Sequence, residues 1–299
     1  PTEFTAHGRP IVNEKTLAEV KGIKEAELIK AYLMYQKRVS QINSWNESVE
    51  EDGRVHGFVI PNGAITGRMT HRNPNMAQVP SSNSPYGSQC RAVWTVPEGY
   101  KLVGIDASGL ELRMLSHYMD DKDYTNEVIN GDIHTANQNL AGLESRSQAK
   151  TFIYALLYGA GDEKLGSVAG GGRSVGTRLR QSFFDNLPAF KSLKNRVGSA
   201  SERGYLKGLD GRKLFVRSEH AALNTLLQGA GAVVMKQALV LFNRSLKKEG
   251  LDAHFVANVH DEWQLEVLEK DAERVGQLGV EAIVAAGEHL DLKCPLDGE

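Results

Sequence analysis

Apolar residues recur at helical spacing between Leu17 and Ile42 (Val20, Ile23, Leu28, Tyr32, Leu33, Val39), which predicts one or two amphipathic helices. Val55 to Pro85 breaks that period. It is rich in Asn, Pro, Gly and Ser, and Pro74, Pro80 and Pro85 forbid a long helix, so a short strand pair followed by extended loop is expected. Tyr100 to Asp106 is an apolar run ending in a carboxylate, the pattern of a buried strand. Helical patterns follow over Leu110 to Tyr118 and Ser145 to Tyr158. The second has Phe152, Ile153, Leu156 and Leu157 on its apolar side and Gly159 and Gly161 as its stop. Gly170 to Gly172 reads as a flexible loop, Leu179 to Ala200 as helix interrupted before Pro188, and Gly204 to Val216 as a hairpin turning at Asp210-Gly211. A long helix is predicted over Leu223 to Lys248. Two strands follow, Ala253–Val259 and Glu262–Leu268, joined tightly through His260-Asp261, and a last helix covers Ala272 to His289. Strands at both ends with helices between predict an α+β fold: a small antiparallel sheet with a helical insertion.

Composition narrows the class. With 299 residues, 41% hydrophobic and 24% charged, the chain is globular and long enough for a sizeable core and about two domains. The apolar runs fall short of a membrane span, and no basic segment followed by an apolar stretch opens the chain, so neither a transmembrane protein nor a signal peptide is expected. The sequence starts at Pro1 without a methionine, which suggests a processed chain or an excised piece of a longer one. Cys90 and Cys294 cannot build a disulfide framework or a cysteine-rich zinc site, and a reducing cytosol is the expected setting. In that setting the sequons Asn46-Glu47-Ser48 and Asn243-Arg244-Ser245 read as chance. The net charge of −2 is a cancellation. Arg146 to Arg217 holds 14 Lys and Arg against 5 Asp and Glu, whereas Asp252 to Glu299 holds 3 against 12. A basic middle that also carries aromatics is either a polyanion surface or a solvated face.

Two carboxylates and one helix carry the candidate chemistry. Asp106 and Asp261 each stand at the end or turn of an apolar strand. Brought together, they offer hard oxygen ligands for Mg²⁺, with water and substrate phosphates completing the octahedron, and a metal pair can clamp an in-line phosphoryl transfer. The alternative is two turn or capping aspartates. Arg146, Lys150, Tyr154 and Tyr158 lie at steps of four along one helix face. The two cations suit a triphosphate and the two aromatics suit a sugar and base. The alternative is an amphipathic helix with a charged edge. Gly166 to Gly171 has P-loop spacing, but Gly172 and Arg173 stand where Lys and Ser/Thr are needed, and Gly159-Ala-Gly161 lacks a third glycine. No P-loop, Rossmann site, Ser/His/Asp order or HExxH helix is assigned.

Taken together the motifs resemble a known family. Asp106-Ala-Ser-Gly-Leu-Glu111-Leu-Arg113 is similar to motif A of the family A DNA polymerases, D-Y-S-Q-I-E-L-R. Arg146, Lys150, Tyr154, Tyr158 and Gly159 keep the spacing of motif B, and Val259-His260-Asp261-Glu262 resembles motif C, V-H-D-E. They occur in the family's order, with further matches at Thr66-Gly67-Arg68, Pro74-Asn75, Gln78-Val79-Pro80, Gly208 to Arg212, and Asn224 with Gln228. The resemblance spans about Val55 to Leu268, and its variants look most like the replicative polymerases of short-tailed coliphages.

The resemblance implies a right-hand fold: a thumb remnant over 1–50, palm over 51–111 and 218–299, and fingers over 112–217, with most of the thumb absent. It implies two Mg²⁺ ions held by Asp106, Asp261 and the Ala107 carbonyl. Arg146, Lys150 and His134 are expected on the triphosphate, Lys150 also as proton donor to pyrophosphate, with Tyr154 on the nucleotide and Glu111 crowding the sugar 2′ position. Tyr158 and Gly159 are expected at the template position. Arg68, Asn75, Gln78, Asn224, Gln228 and His260 are expected along primer–template DNA, through minor-groove acceptors that all correct pairs share. The implied partners are primer–template DNA, dNTPs and a processivity factor on the thumb of a parent protein, in the cytoplasm of a bacterial host, with no membrane. Tyr154, where the family has Phe or Tyr, implies ready use of dideoxynucleotides. No Asp-x-Glu pair precedes Val55, so proofreading is not expected, and at His220 many relatives carry Arg. Two rivals remain. A single-chain phage-type RNA polymerase shares the hand, but Glu111 argues against it. A non-catalytic DNA-binding fragment fits the basic middle, but the intact Asp106, Lys150 and Asp261 argue against that.

Overall fold

The structure is a computed structural model that describes residues 4–20 and 22–299. The helices are α1 Glu14–Ala18, α2 Lys24–Glu47, α3 Gly87–Ala92, α4 Leu110–Met119, α5 Lys122–Asn130, α6 Ile133–Ala141, α7 Arg146–Leu157, α8 Asp162–Val168, α9 Arg173–Asn186, α10 Pro188–Ser201, α11 Glu219–Glu249 and α12 Ala272–His289. The strands are β1 Phe58–Ile60, β2 Thr70–Arg72, β3 Tyr100–Asp106, β4 Tyr205–Lys207, β5 Lys213–Phe215, β6 Ala253–Val259 and β7 Glu262–Leu268. The chain divides into two compact units, one of Pro1–Val59 with His71–Thr95 and one of Ile60–Thr70 with Val96–Glu299.

In the smaller unit α2 runs along the segment from Gln78 to Trp94. Tyr35 meets Tyr86 with ring centroids 5.6 Å apart, and Trp45 sits edge-on to Trp94 at 5.2 Å. Arg38 donates to the Pro85 carbonyl and Gln41 to that of Gln78. The apolar stripe of α2 does not go inside. Leu28, Tyr32 and Val39 lie at the surface, so helical periodicity here predicts the element but not its burial.

The larger unit is built on a three-stranded antiparallel sheet of order β3-β7-β6. Tight pairing of β6 with β7 follows from the two-residue turn at His260-Asp261, where His260 takes a left-handed backbone conformation (φ 60°). β3 adds to the far side of β7, with Tyr100 opposite Leu268 and Asp106 opposite Glu262. Behind the sheet lie α11 and α12. Trp263 stacks on Phe242 at 5.4 Å, and Gly279 lets Ile105 approach α12 closely. α11 meets the length and apolarity of a membrane span, contrary to the sequence expectation that nothing in the chain does, yet more than half of its most apolar stretch is buried within the protein. Its Gly229, Ala230 and Gly231 are buried, and at Gly231 α11 comes close to Leu110 of α4.

Between sheet strands, α4 to α10 form the helical insertion. Its core is Phe152, Phe183 and Phe190, with Phe183 edge-on to both others. The interruption foreseen before Pro188 is Leu187, where α9 ends and α10 starts with Pro188 in its first turn. α5, α6 and α8 have no counterpart in the sequence reading. Their signals were short and local: Asp121 and Asp132 cap α5 and α6 through their side chains.

Candidate active site

β3 ends at Asp106 because the sheet ends there, and the β6–β7 turn brings Asp261 to the same edge. The Ala107 N–H donates to the Asp261 carbonyl at 3.0 Å, which joins the two carboxylate-bearing turns. A returning segment, Pro295–Glu299, pairs on the other side: Asp106 N–H to Glu299 C=O at 2.9 Å, Glu299 N–H to Asp106 C=O at 3.0 Å, and Ser108 N–H to Asp297 C=O at 3.0 Å. Burial pushes the Asp106 carboxyl up to about 6, and the charges of Asp261, Glu262 and Glu299 push the same way.

These groups fit a hard divalent cation. Besides burial, the charges that act on Asp106 are all carboxylates, so the edge holds negative charge that a cation would relieve. Ala107 is buried, and its carbonyl accepts no hydrogen bond among the described residues. Among those residues no set of three or more His, Cys, Asp or Glu is grouped as a metal cage. Two carboxylates and a carbonyl instead leave coordination positions for water and substrate, as Mg²⁺ prefers.

Of the α7 stripe, Tyr154 feels the Asp261 charge and Tyr158 reaches Glu111. Ser145 caps α7 through a capping box with Gln148, fixing the first turn. Arg146 is held by Asp132 at 2.6 Å, and Asp132 also caps α6, which packs on α7 and carries His134. The arginine and its hydrogen bond hold the Asp132 carboxyl far below the usual range. Lys150 is exposed and makes no ion pair or hydrogen bond among the described residues. Burial, together with the Arg146 and Lys150 charges, lowers the His134 imidazole, so it is neutral at pH 7. The Tyr154 ring lies between His134 and Tyr158, 6.4 Å from each centroid. Burial and the Glu111 and Asp261 charges raise its phenol, which stays a donor.

Glu111 is the centre of a second cluster. It accepts from Tyr158 Oη at 3.0 Å, from Gln228 at 3.5 Å, and from Arg68 at 3.3 Å as an ion pair. Burial and this carboxylate push the Tyr158 phenol up to about 12. Gly159 has φ +77°, and a Cβ there would lie 2.2 Å from the His220 carbonyl oxygen, so α7's end is seated against the start of α11. Asn224 and Gln228 are half-buried on α11, one turn apart. His260 is exposed at the turn beside Asp261 and lines a small cleft with Arg68, Asn258 and Lys236.

All sequence-derived site residues but two fall in the larger unit. Asn75 and Gln78 belong to the smaller one, where Asn75 caps a 3₁₀ turn over Met76–Gln78 by accepting from Ala77 N–H. Three groups at the site escaped the sequence reading. Asp132 orients Arg146, and its position just before a helical run was a usable capping signal. Lys236, paired with Asn62 beside His260, left no signal. Arg113 stood within the quoted motif but received no role.

A family profile, DNA polymerase family A, matches residues 1–299. The DNA-directed DNA polymerases of Enterobacteria phage T3 and Escherichia phage T7 are each 43% identical, over all of this chain and 48% of their own length. DNA polymerase I of Pseudomonas aeruginosa is 28% identical over 96% of this chain and 34% of its own. The chain thus spans about half the length of the phage relatives. Among solved structures, the polymerase domain of Pol1 from M. smegmatis, in complex with DNA primer-template and dNTP, matches with TM-score 0.87 and 25% identity over all of this chain and 56% of that one.

Proposed function

Because this chain is a member of DNA polymerase family A, we propose that it adds deoxynucleoside monophosphates from dNTPs to a primer 3′-hydroxyl on a DNA template, releasing pyrophosphate, in phage or prophage DNA replication in a bacterial cytoplasm. The observation that carries the reading is the Ala107–Asp261 backbone bond, which sets Asp106 and Asp261 side by side at one sheet edge. In this reading 51–111 and 218–299 are palm, 112–217 are fingers and 1–50 belong to the thumb.

Asp106, Asp261 and the Ala107 carbonyl would hold two Mg²⁺ ions, which would supply Lewis acidity at the primer hydroxyl and positive charge for the triphosphate. Arg146, aimed by Asp132, and the unpaired Lys150 bind the triphosphate, and neutral His134 donates to it. Lys150 also gives a proton to the departing pyrophosphate. Tyr154 meets the sugar, and Glu111, fixed by Arg68, Tyr158 and Gln228, fills the space beside C2′ and rejects a ribose. Tyr158 and Gly159 guard the template base. Arg68, Asn75, Gln78, Asn224, Gln228 and His260 follow the primer–template, and a processivity factor binds the thumb of the longer parent protein.

The test is Mg²⁺-dependent extension of a labelled primer–template by the chain beside Asp106→Asn and Asp261→Asn. Extension with dNTPs lost in both variants is the expected outcome. Equal use of dNTPs and NTPs would favour an RNA-synthesising enzyme, and salt-sensitive binding without extension would favour a fragment that needs the parent's missing parts.

A further inference from the structure

Arg113 is 7% exposed, yet its guanidinium pairs with no carboxylate among the described residues. It donates instead to two main-chain carbonyls: Nε to Ser108 at 2.8 Å and Nη1 to Pro295. A buried cation is costly unless its donors are satisfied, and an apolar side chain would fill the same space without that cost. The choice of partners is therefore informative. Ser108 follows Ala107 in the turn that leaves β3, and Pro295 opens the segment that returns to pair with that turn.

The hydrogen bonds around the turn are nearly complete. Asp106 has its N–H and C=O on Glu299, Ala107 has its N–H on Asp261, and Ser108 has its N–H on Asp297. The short ladder stops at the Ser108 carbonyl, and Arg113 takes that place. Among the described residues, the one main-chain group of these three left without a partner is the Ala107 carbonyl. We propose that Arg113 and Pro295–Glu299 form a clasp that positions Asp106 and the Ala107 carbonyl for the divalent cation. Arg113 acts through the main chain and touches no reactant. It is a positioning residue, on the far side of the turn from Asp261. The inference rests on the reading of Asp106 and Ala107 as metal-holding groups.

The experiment compares the full chain with Arg113→Ala and Arg113→Lys by three readouts: Mn²⁺ affinity without DNA by electron paramagnetic resonance, amide hydrogen exchange, and steady-state kcat and KM. Arg113→Ala should bind Mn²⁺ about tenfold or more weakly. It should exchange faster at 106–108, while β7 and α11 keep their protection. Its kcat should fall about 10²-fold with dNTP KM nearly unchanged, the signature of misplacement and not of lost substrate binding. Arg113→Lys should recover part of each. If Arg113→Ala does not fold, Gly298→Val carries the test. A side chain at 298 would meet the Asp106 carbonyl oxygen at 3.0 Å and Ile283 at 3.1 Å, displacing the segment without altering Arg113, and the same signature is expected. Wild-type Mn²⁺ affinity and kcat in either folded variant overturn the proposal, as does a lowered Tm with unchanged kcat. Equal Mn²⁺ binding by wild type and Asp106→Asn would instead sink the metal reading, and exchange at 106–108 would then decide the clasp by itself.

Discussion

Asp106 titrates in a place where a bound cation would be visible in stability. Its carboxyl is raised from 3.8 to about 6 by burial and by three carboxylate neighbours. The folded chain therefore keeps this proton at pH values where the unfolded chain has released it. Stability is undiminished below about pH 4, falls as the pH rises from about 4 to 6, and carries the full penalty above that. The expected outcome is a metal-free Tm that declines across this window in wild type and stays flatter in Asp106→Asn, which becomes the more stable protein at pH 8. Mg²⁺ should restore wild type at pH 8 and leave Asp106→Asn unmoved. Parallel pH profiles for the two proteins would count against the carboxylate conflict. A second prediction concerns Tyr154, whose phenol is kept protonated by burial and by Glu111 and Asp261. In the proposed reading it would replace the hydrogen bond that a 3′-deoxy sugar lacks. A hydrogen bond involving a charged group is worth about 1.5–3 kcal/mol. Tyr154→Phe should thus raise discrimination against dideoxynucleotides about tenfold or more. Equal discrimination in competition assays would refute the role.

At the scale of elements, the chain just past α7 approaches the start of α11 closely. Gly159 needs φ +77° and has the His220 carbonyl where a Cβ would stand. Gly170 also has a positive φ (+69°) but opens on free space. Gly170→Ala should cost only the left-handed strain, about 1–2 kcal/mol. Gly159→Ala should cost more in urea unfolding, and should slow extension because Tyr158 is its neighbour. Similar losses at both positions would mean the close approach contributes nothing. The elements also show what a sequence can reveal. β6 and β7 were legible because a two-residue turn fixes their pairing locally. Addition of β3 to β7 was not, because no local signal links Tyr100 to Leu268. The Arg146–Asp132 bond was hidden for the same reason, since it crosses from α7 to the cap of α6. Asp106 and Asp261 were visible as strand-end carboxylates, but only the family motifs pointed to their meeting. The α2 stripe shows the converse: Leu28, Tyr32 and Val39 have the period of a buried face and lie exposed.

At the scale of the molecule, the question left by the charge pattern is whether the basic middle meets a polyanion or only water. Arg146, Arg180, Lys191 and Arg212 already lean on Asp132, Asp162, Asp185 and Asp210. A cation so paired releases few counterions when DNA arrives. Arg196, Arg203 and Lys207 differ. They line an open cavity of about 230 Å³ with Tyr118, whose hydroxyl has no hydrogen-bond partner among the described residues, where the arginines donate to carbonyls. These three are the cations on that face best placed to exchange counterions for phosphates. Each phosphate contact contributes about −0.9 to the slope of log K against log salt on duplex DNA and about −0.7 on a single strand. Replacing all three by Gln should therefore make the slope for primer–template binding shallower by about 2–3, with a similar loss of affinity on any sequence. Titrations between 50 and 200 mM salt, roughly the range over which such contacts are lost, read this directly. An unchanged slope would assign the face to solvent and leave the DNA to Arg68, His260 and the residues around the carboxylate edge.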